Sequence, residues 1–310
     1  MNDINELFKL AEFRERIYKS NEYLKLKNFR LFRNSYGVFK GNFMELIKIL
    51  NKHEKVDIYE LVHSKNGQKK LDKFHLEITR CLHNFLASAF SLIDNTRKQT
   101  KSSGDIFFQN ELNEKITELF SNNTTHIFIK DLRNFTQHFK MPQVSSKTSF
   151  TRADDKGLNN ETKLYITTTH LIGFEWSAKS KEIIKNNTKG VYIKSILHEY
   201  YNLVTNFQKW YEQKQKGLLK TELLYISKQE KELKKQQFIF NLNIFFSNGS
   251  KSKDEFEKIL FRHISTFYYK KIINCSKENR VDLVLKSLKN LGIRTTDYEK
   301  KIKDVNNYWL

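Results

Sequence analysis

Residues 131 to 142 read DLRNFTQHFKMP and hold an arginine, Arg133, followed directly by Asn134 and, five positions on from the arginine, by His138. A guanidinium offers a planar fork of donors that suits phosphate oxygens. An imidazole is the side chain whose ordinary titration range lies nearest neutral pH, so it can give or take a proton. Together these types describe phosphodiester chemistry, with a cation to hold charge developing at phosphorus and a group to move protons. With eleven arginines and nine histidines in 310 residues, this Arg-to-His spacing is expected by chance about 0.3 times, and requiring Asn after the arginine lowers that about tenfold. LFRNSYGVF at 31–39 is an internal control. Arg33 and Asn34 recur there, but Val38 stands where the histidine would fall, and the stretch reads as the surface of an N-terminal helix.

The element that positions the pair is a helical stretch from about Asn110 to Phe139, interrupted at SNNTT, 121–125. Phe128, Leu132, Phe135 and Phe139 form one narrow stripe on its wheel and are expected in the core. Pro142, the only proline, disfavours helix just before it, so the helix should end near Phe139 to Met141. Positions five apart differ by roughly 140° on a regular helix, so Arg133 and His138 flank the stripe on opposite sides, whereas Asn134 and His138 share an edge. Either the helix end is distorted or a second chain completes the site. Alternatively, Arg133 pairs with Asp131 or another carboxylate and His138 caps the last carbonyls, which would make the pair structural.

One proline and ten glycines favour long helices. Residues 1–66 read as two or three helices closed by KNGQKK, 65–70. A long helix follows from about Leu71 to Lys98, with Ile78, Leu82, Phe85, Leu86, Ala89 and Ile93 on one face; Asp94 and Arg97 read as an ordinary intrahelical pair. KQTKSSGD then makes a turn. Residues 148–172 carry two Thr-rich runs around DDKGLNN and read as a β-hairpin, with Asp154 and Asp155 as turn residues. Helix resumes near Gly190 and closes near KQKG, 214–217; the rest is Lys-rich helix broken at SNGSKSK, 247–253. The organisation is thus an N-terminal helical segment (1–68), a helical domain with the inserted hairpin (69–217) and a basic C-terminal helical region (218–310).

With 55 Lys and Arg against 35 Asp and Glu, the net charge is +20, which points to a polyanionic partner, nucleic acid first. Two distant cysteines make no disulfide framework and fit a reducing cytoplasm. The start lacks a signal-peptide pattern, and no run reaches the ~20 apolar residues of a membrane span. Neither a GxxxxGK[ST] nor a GxGxxG loop is present, and HEYYN at 198–202 lacks the second histidine of a zinc-protease helix. No cofactor or metal site is indicated, and the remaining histidines read as structural.

Arg133, Asn134, three intervening residues and His138, late on a bundle helix, resemble the R-polar-x3-H motif of HEPN ribonucleases, in the RNxxxH version of toxin and phage-defence members. The preceding helix, CLHNFLASAFSLIDNTRK at 81–98, and a basic, cofactor-free chain are similar to the same family. The likeness covers about residues 69–217. It implies a mainly α, HEPN-like bundle, with Arg133, Asn134 and His138 catalytic in a composite site of a homodimer. It also implies metal-independent endoribonuclease activity on RNA, as a toxin or antiviral, abortive-infection effector, with an antitoxin or trigger protein as a further partner. The contrasting expectation is a non-catalytic basic helical protein that binds nucleic acid or regulates a partner. Tyr200, Tyr201, Trp210, Tyr211, Tyr268 and Tyr269 would then be available to stack on bases.

Overall fold

Few breakers and long amphipathic runs give a mainly helical chain with one three-stranded antiparallel sheet. The computed structural model describes residues 2–55, 61, 63–102, 105–153, 157–249 and 252–307. They divide into two compact units, residues 28–217 and residues 1–27 with 218–310.

In the first unit, α2 (Asn21–Glu54) contributes its residues from Asn28 onward, and α3 (Gly67–Ser102) carries the long apolar face read from the sequence. Ile78, Leu82, Phe85, Leu86 and Ala89 are buried, while Ile93 is half-buried. α4 (Ile106–Ile116) starts at Asp105, whose carboxylate accepts from the Phe108 N–H, and runs into a widened π turn at Thr117–Ser121. α5 (Thr124–His138) follows. β1 (Val144–Ala153) and β2 (Gly157–Ile166) pair antiparallel, with Val144 opposite Ile166 and Ala153 opposite Gly157. The hairpin therefore starts four residues before the expected Thr148; Asp154 and Asp155 lie outside the described residues.

Two elements have no counterpart in the sequence reading. α6 (Ala178–Asn186) is short and polar, and β3 (Val191–Tyr192) adds to β2 through Ile166 and Val191. Gly190 makes that approach possible. Its φ is +150°, and a Cβ there would stand 2.8 Å from Tyr165 Cβ. α7 (Ile193–Leu218) then lays Leu197, Tyr200, Val204, Phe207 and Tyr211 into the core. Phe32 meets Tyr211 at 4.4 Å, and Phe43 lies parallel to Tyr201 at 3.9 Å. Tyr200 and Tyr211 are fully buried, which removes both as exposed stacking platforms, because the helical repeat turns them inward.

The hairpin is latched to the helices through one hydroxyl. Ser146 Oγ on β1 lies 3.1 Å from His53 Nε2 on α2 and 3.0 Å from His75 Nε2 on α3. One hydroxyl serves both rings if His53 donates to it and it donates to His75, whose accepting Nε2 must then be unprotonated. Burial, then the neighbouring His75, pushes His53 down to about 4, and burial lowers His75 against the opposing pull of Asp72.

The second unit has two apolar clusters. α1 (Asn2–Lys19) packs along α8 (Lys220–Ser247), Ile17 clustering with Ile226 and Leu233 and with Leu26 from the start of α2. α8 also packs, through Phe238, Leu242 and Phe245, on α9 (Lys253–His263), α10 (Thr266–Asn274), α11 (Lys277–Asn290) and α12 (Glu299–Asn307).

The histidine latch sets a pH dependence. A histidine whose folded pKa is depressed binds more protons unfolded, so its contribution is complete above about pH 6.5 and is lost as pH falls towards 4. The urea midpoint is expected to drop across that window, and His53→Gln should flatten the drop. An unchanged slope in that variant would place the effect elsewhere.

Candidate active site

α5 forms because Asn123 accepts the His126 N–H at 2.8 Å as its N-cap, and because Phe128, Ile129, Leu132 and Phe135 repeat on one side. All four are fully enclosed. Trp176 stacks against Phe128 and Phe135, at 6.0 and 5.4 Å, and anchors its indole N–H on the Leu171 carbonyl. The helix ends at His138, where the Phe135 carbonyl accepts both the Phe139 and the Lys140 N–H. Phe139, expected in the core, is instead 49% exposed. It sits at the C-cap with φ −123° and ψ −72°, off the helical spiral that carries the other three stripe residues inward.

Asp131 does not pair with Arg133. Its Oδ2 accepts from the Ser177 N–H at 3.1 Å and from the Ser177 and Ser180 hydroxyls at 2.6 Å each. A carboxylate on one helix thereby caps the next, α6, where negative charge also meets the positive end of the helix dipole. This fixes which flank of α5 faces the 172–177 segment. His138, two turns beyond Asp131, continues along that flank.

Arg133 lies on the other flank. Its guanidinium sits 5.2 Å over the Phe90 ring of α3, and Nη1 donates to Asn134 Oδ1 at 3.0 Å. Nε is enclosed and has no hydrogen-bond partner, and among the described residues no carboxylate pairs with this arginine. His138 is exposed and makes no hydrogen bond among the described residues. Asn134 therefore meets the arginine, not the histidine. Between the two flanks run Lys130, Asn134 and Gln137, facing solvent or half-buried. The helix is α-helical from Thr124 to His138, so one chain leaves Arg133 and His138 about 140° apart around the axis.

His126 is among the histidines read from the sequence as structural. Seven residues before Arg133, it shares that residue's face, and this two-turn spacing was the available signal. Burial first, then Lys130 and Arg97, lower its pKa to about 4, and its Nδ1 is enclosed without a partner. Asp94 and Arg97, read as an intrahelical pair, form no ion pair with each other; both line a cavity beside His126.

Among the described residues, one group of His, Cys, Asp or Glu side chains is close enough to share an ion, Glu45, Glu77 and Cys81. Arg80 already bonds both carboxylates at 2.7 Å, and burial pushes the Cys81 thiol up to about 11, so the group is an ion-pair cluster around a guanidinium. No protein-family model, no curated protein and no solved structure matches the chain.

The Asp131 cap can be weighed by mutation. Asp131→Ala removes an acceptor from three donors, one of them the fully enclosed Ser180 hydroxyl. It should cost about 2–3 kcal/mol in denaturant unfolding, the range for a charged hydrogen-bond acceptor combined with a cap. A loss within ±0.5 kcal/mol, the range typical of a bare surface change, would show that α6 holds without it.

Proposed function

We propose that the chain is a metal-independent endoribonuclease of HEPN type, acting on RNA as a homodimer. The observation that carries this reading is the disposition of the pair on α5: an exposed imidazole on one flank and, on the other, a guanidinium with one unsatisfied donor and, among the described residues, no carboxylate partner. An unpaired, partly enclosed guanidinium is costly unless a ligand completes it. A phosphate meeting the terminal nitrogens offsets that cost with charge-assisted bonds. The net charge of +20 supports the same class of partner.

RNA brings its own nucleophile. The 2′-OH attacks the adjacent phosphorus and gives up its proton; the P–O5′ bond breaks, the 5′-oxygen takes a proton, and a 2′,3′-cyclic phosphate remains. That sequence needs one base and one acid, while each chain offers one exposed imidazole at this edge. A second α5 laid across the strip of Lys130, Asn134 and Gln137 brings a second His138 to the opposite flank, one ring accepting and the other donating. Arg133, steadied by Asn134, holds the non-bridging oxygens as charge develops there. DNA lacks the 2′-OH and is not a substrate for this chemistry. A toxin or antiviral effector restrained by an antitoxin or released by a trigger protein fits such an activity in a cytoplasm full of RNA.

Purified protein should cleave RNA in EDTA and leave 2′,3′-cyclic phosphate ends. Arg133→Ala and His138→Ala, each with an unchanged melting profile, should lose at least about a hundredfold in rate, the lower range for a general acid–base group or a charge-stabilising donor. Mixing wild-type chain with an excess of His138→Ala tests the composite site, because a heterodimer with one intact His138 lacks either the acid or the base, so activity should fall well below the wild-type share. Cleavage that survives both substitutions overturns the assignment, and steep salt-dependent binding without cleavage would favour an RNA-binding role.

A further inference from the structure

A cavity of about 120 Å³ opens between α3, the π turn, α5 and α7, all within residues 28–217. Its floor is apolar and aromatic: Phe120 and Phe207 are buried and meet edge to face at 5.5 Å, and Phe90 and Ile93 line the side towards α3. One wall is the His126 ring, 4.9 Å from Phe120, with its unpartnered Nδ1. The mouth is charged. Asp94, Arg97 and Lys130 stand there exposed, with no hydrogen bond or ion pair among them. The π turn that forms part of the rim widens the helix by one residue, a distortion found often at functional sites.

This division of chemistry selects the ligand. A bare phosphate would use the mouth and leave an aromatic floor unfilled, and a purely apolar molecule would leave two cations unmatched. A nucleotide satisfies both halves: a flat heterocycle enters over Phe120, and its phosphate stays between Arg97 and Lys130. The base edge then has Asp94 as acceptor for an exocyclic amine. The volume is several times what one water needs and admits a single ring system.

The cavity is also joined to the proposed catalytic edge. Phe90 lines it and bears the Arg133 guanidinium on its ring, and Lys130 lies one turn before Asn134 on the same helix. Resting on the ribonuclease reading above, we infer that this cavity is a base-recognition pocket. It takes one unstacked nucleotide of a single-stranded RNA and sets the register of the strand relative to Arg133 and His138. Single-stranded RNA is read in this manner, with bases turned out onto aromatic side chains and their edges hydrogen-bonded.

The test uses binding, so that it does not depend on cleavage. Short 2′-O-methyl RNA strands of each of the four bases, which lack the nucleophile, are titrated against the full chain at fixed salt, beside an abasic strand and the four nucleoside monophosphates. One base should bind more tightly than the others and than the abasic strand. Arg97→Glu and Lys130→Glu should each weaken it about tenfold or more, in line with losing one anchored nucleotide. Ile93→Trp, which fills the floor, should abolish the base preference; the two exposed substitutions keep the test intact if that variant does not fold. In NMR spectra the His126 ring signals should move with the preferred strand and stay fixed with the abasic one. Equal affinity for the abasic strand would reduce the cavity to an anion site and overturn the inference. Mononucleotides binding as tightly as the strand would make the ligand a free nucleotide and overturn the register role. A chain that shows the base preference but never cuts RNA would sink the nuclease reading and leave the pocket standing.

Discussion

Everything at the candidate site follows from how α5 is rotated about its own axis. Phe128, Leu132 and Phe135 are shut into the core against Trp176, and Asp131 is tied to the first turn of α6. Two kinds of contact thus fix the same angle, one apolar and one charge-assisted. A rotation by one position, 100°, would bury charged side chains and expose phenylalanines, at a cost of several kcal/mol per side chain. With the angle fixed, the polar residues have no freedom of azimuth: Arg133 is committed to α3 and His138 to the far flank.

How much of this was legible in the sequence differs between kinds of information. Period-3.6 patterning on α3, α5 and α7 and alternating Thr-rich runs in the hairpin are local signals, and they located those elements closely. α6 was invisible because AKSKEIIKN is short and polar and its cap is supplied by Asp131, 46 residues earlier. β3 is two residues long and exists only because Gly190 lets the chain approach Tyr165. Phe139 was misplaced by one position's difference in helix length. The union of residues 1–27 with 218–310 is a long-range pairing that no local pattern encodes.

The site was legible in the same partial way. Residue types and one spacing singled out Arg133, Asn134 and His138, yet their partners were not deducible. Asp131, one counter-ion for the arginine under the alternative, structural account, is a helix cap, and Asn134 binds the guanidinium and not the imidazole. His126 carries no motif. Its interest arises from enclosure, an unsatisfied nitrogen and the cations of two helices around it, all properties of packing.

The division of the chain bears on its synthesis. Residues 28–217 are contiguous and hold the whole candidate site, so they can gather their core while the chain is still being made. α1 is different. Its partners Ile226 and Leu233 leave the ribosome some two hundred residues later, roughly 10–40 s at ordinary elongation rates. For that interval an amphipathic helix with Phe13 and Ile17 waits uncovered. The nascent protein would thus assemble the unit that holds the candidate site before its first helix finds a place, and a chaperone has that window in which to engage it.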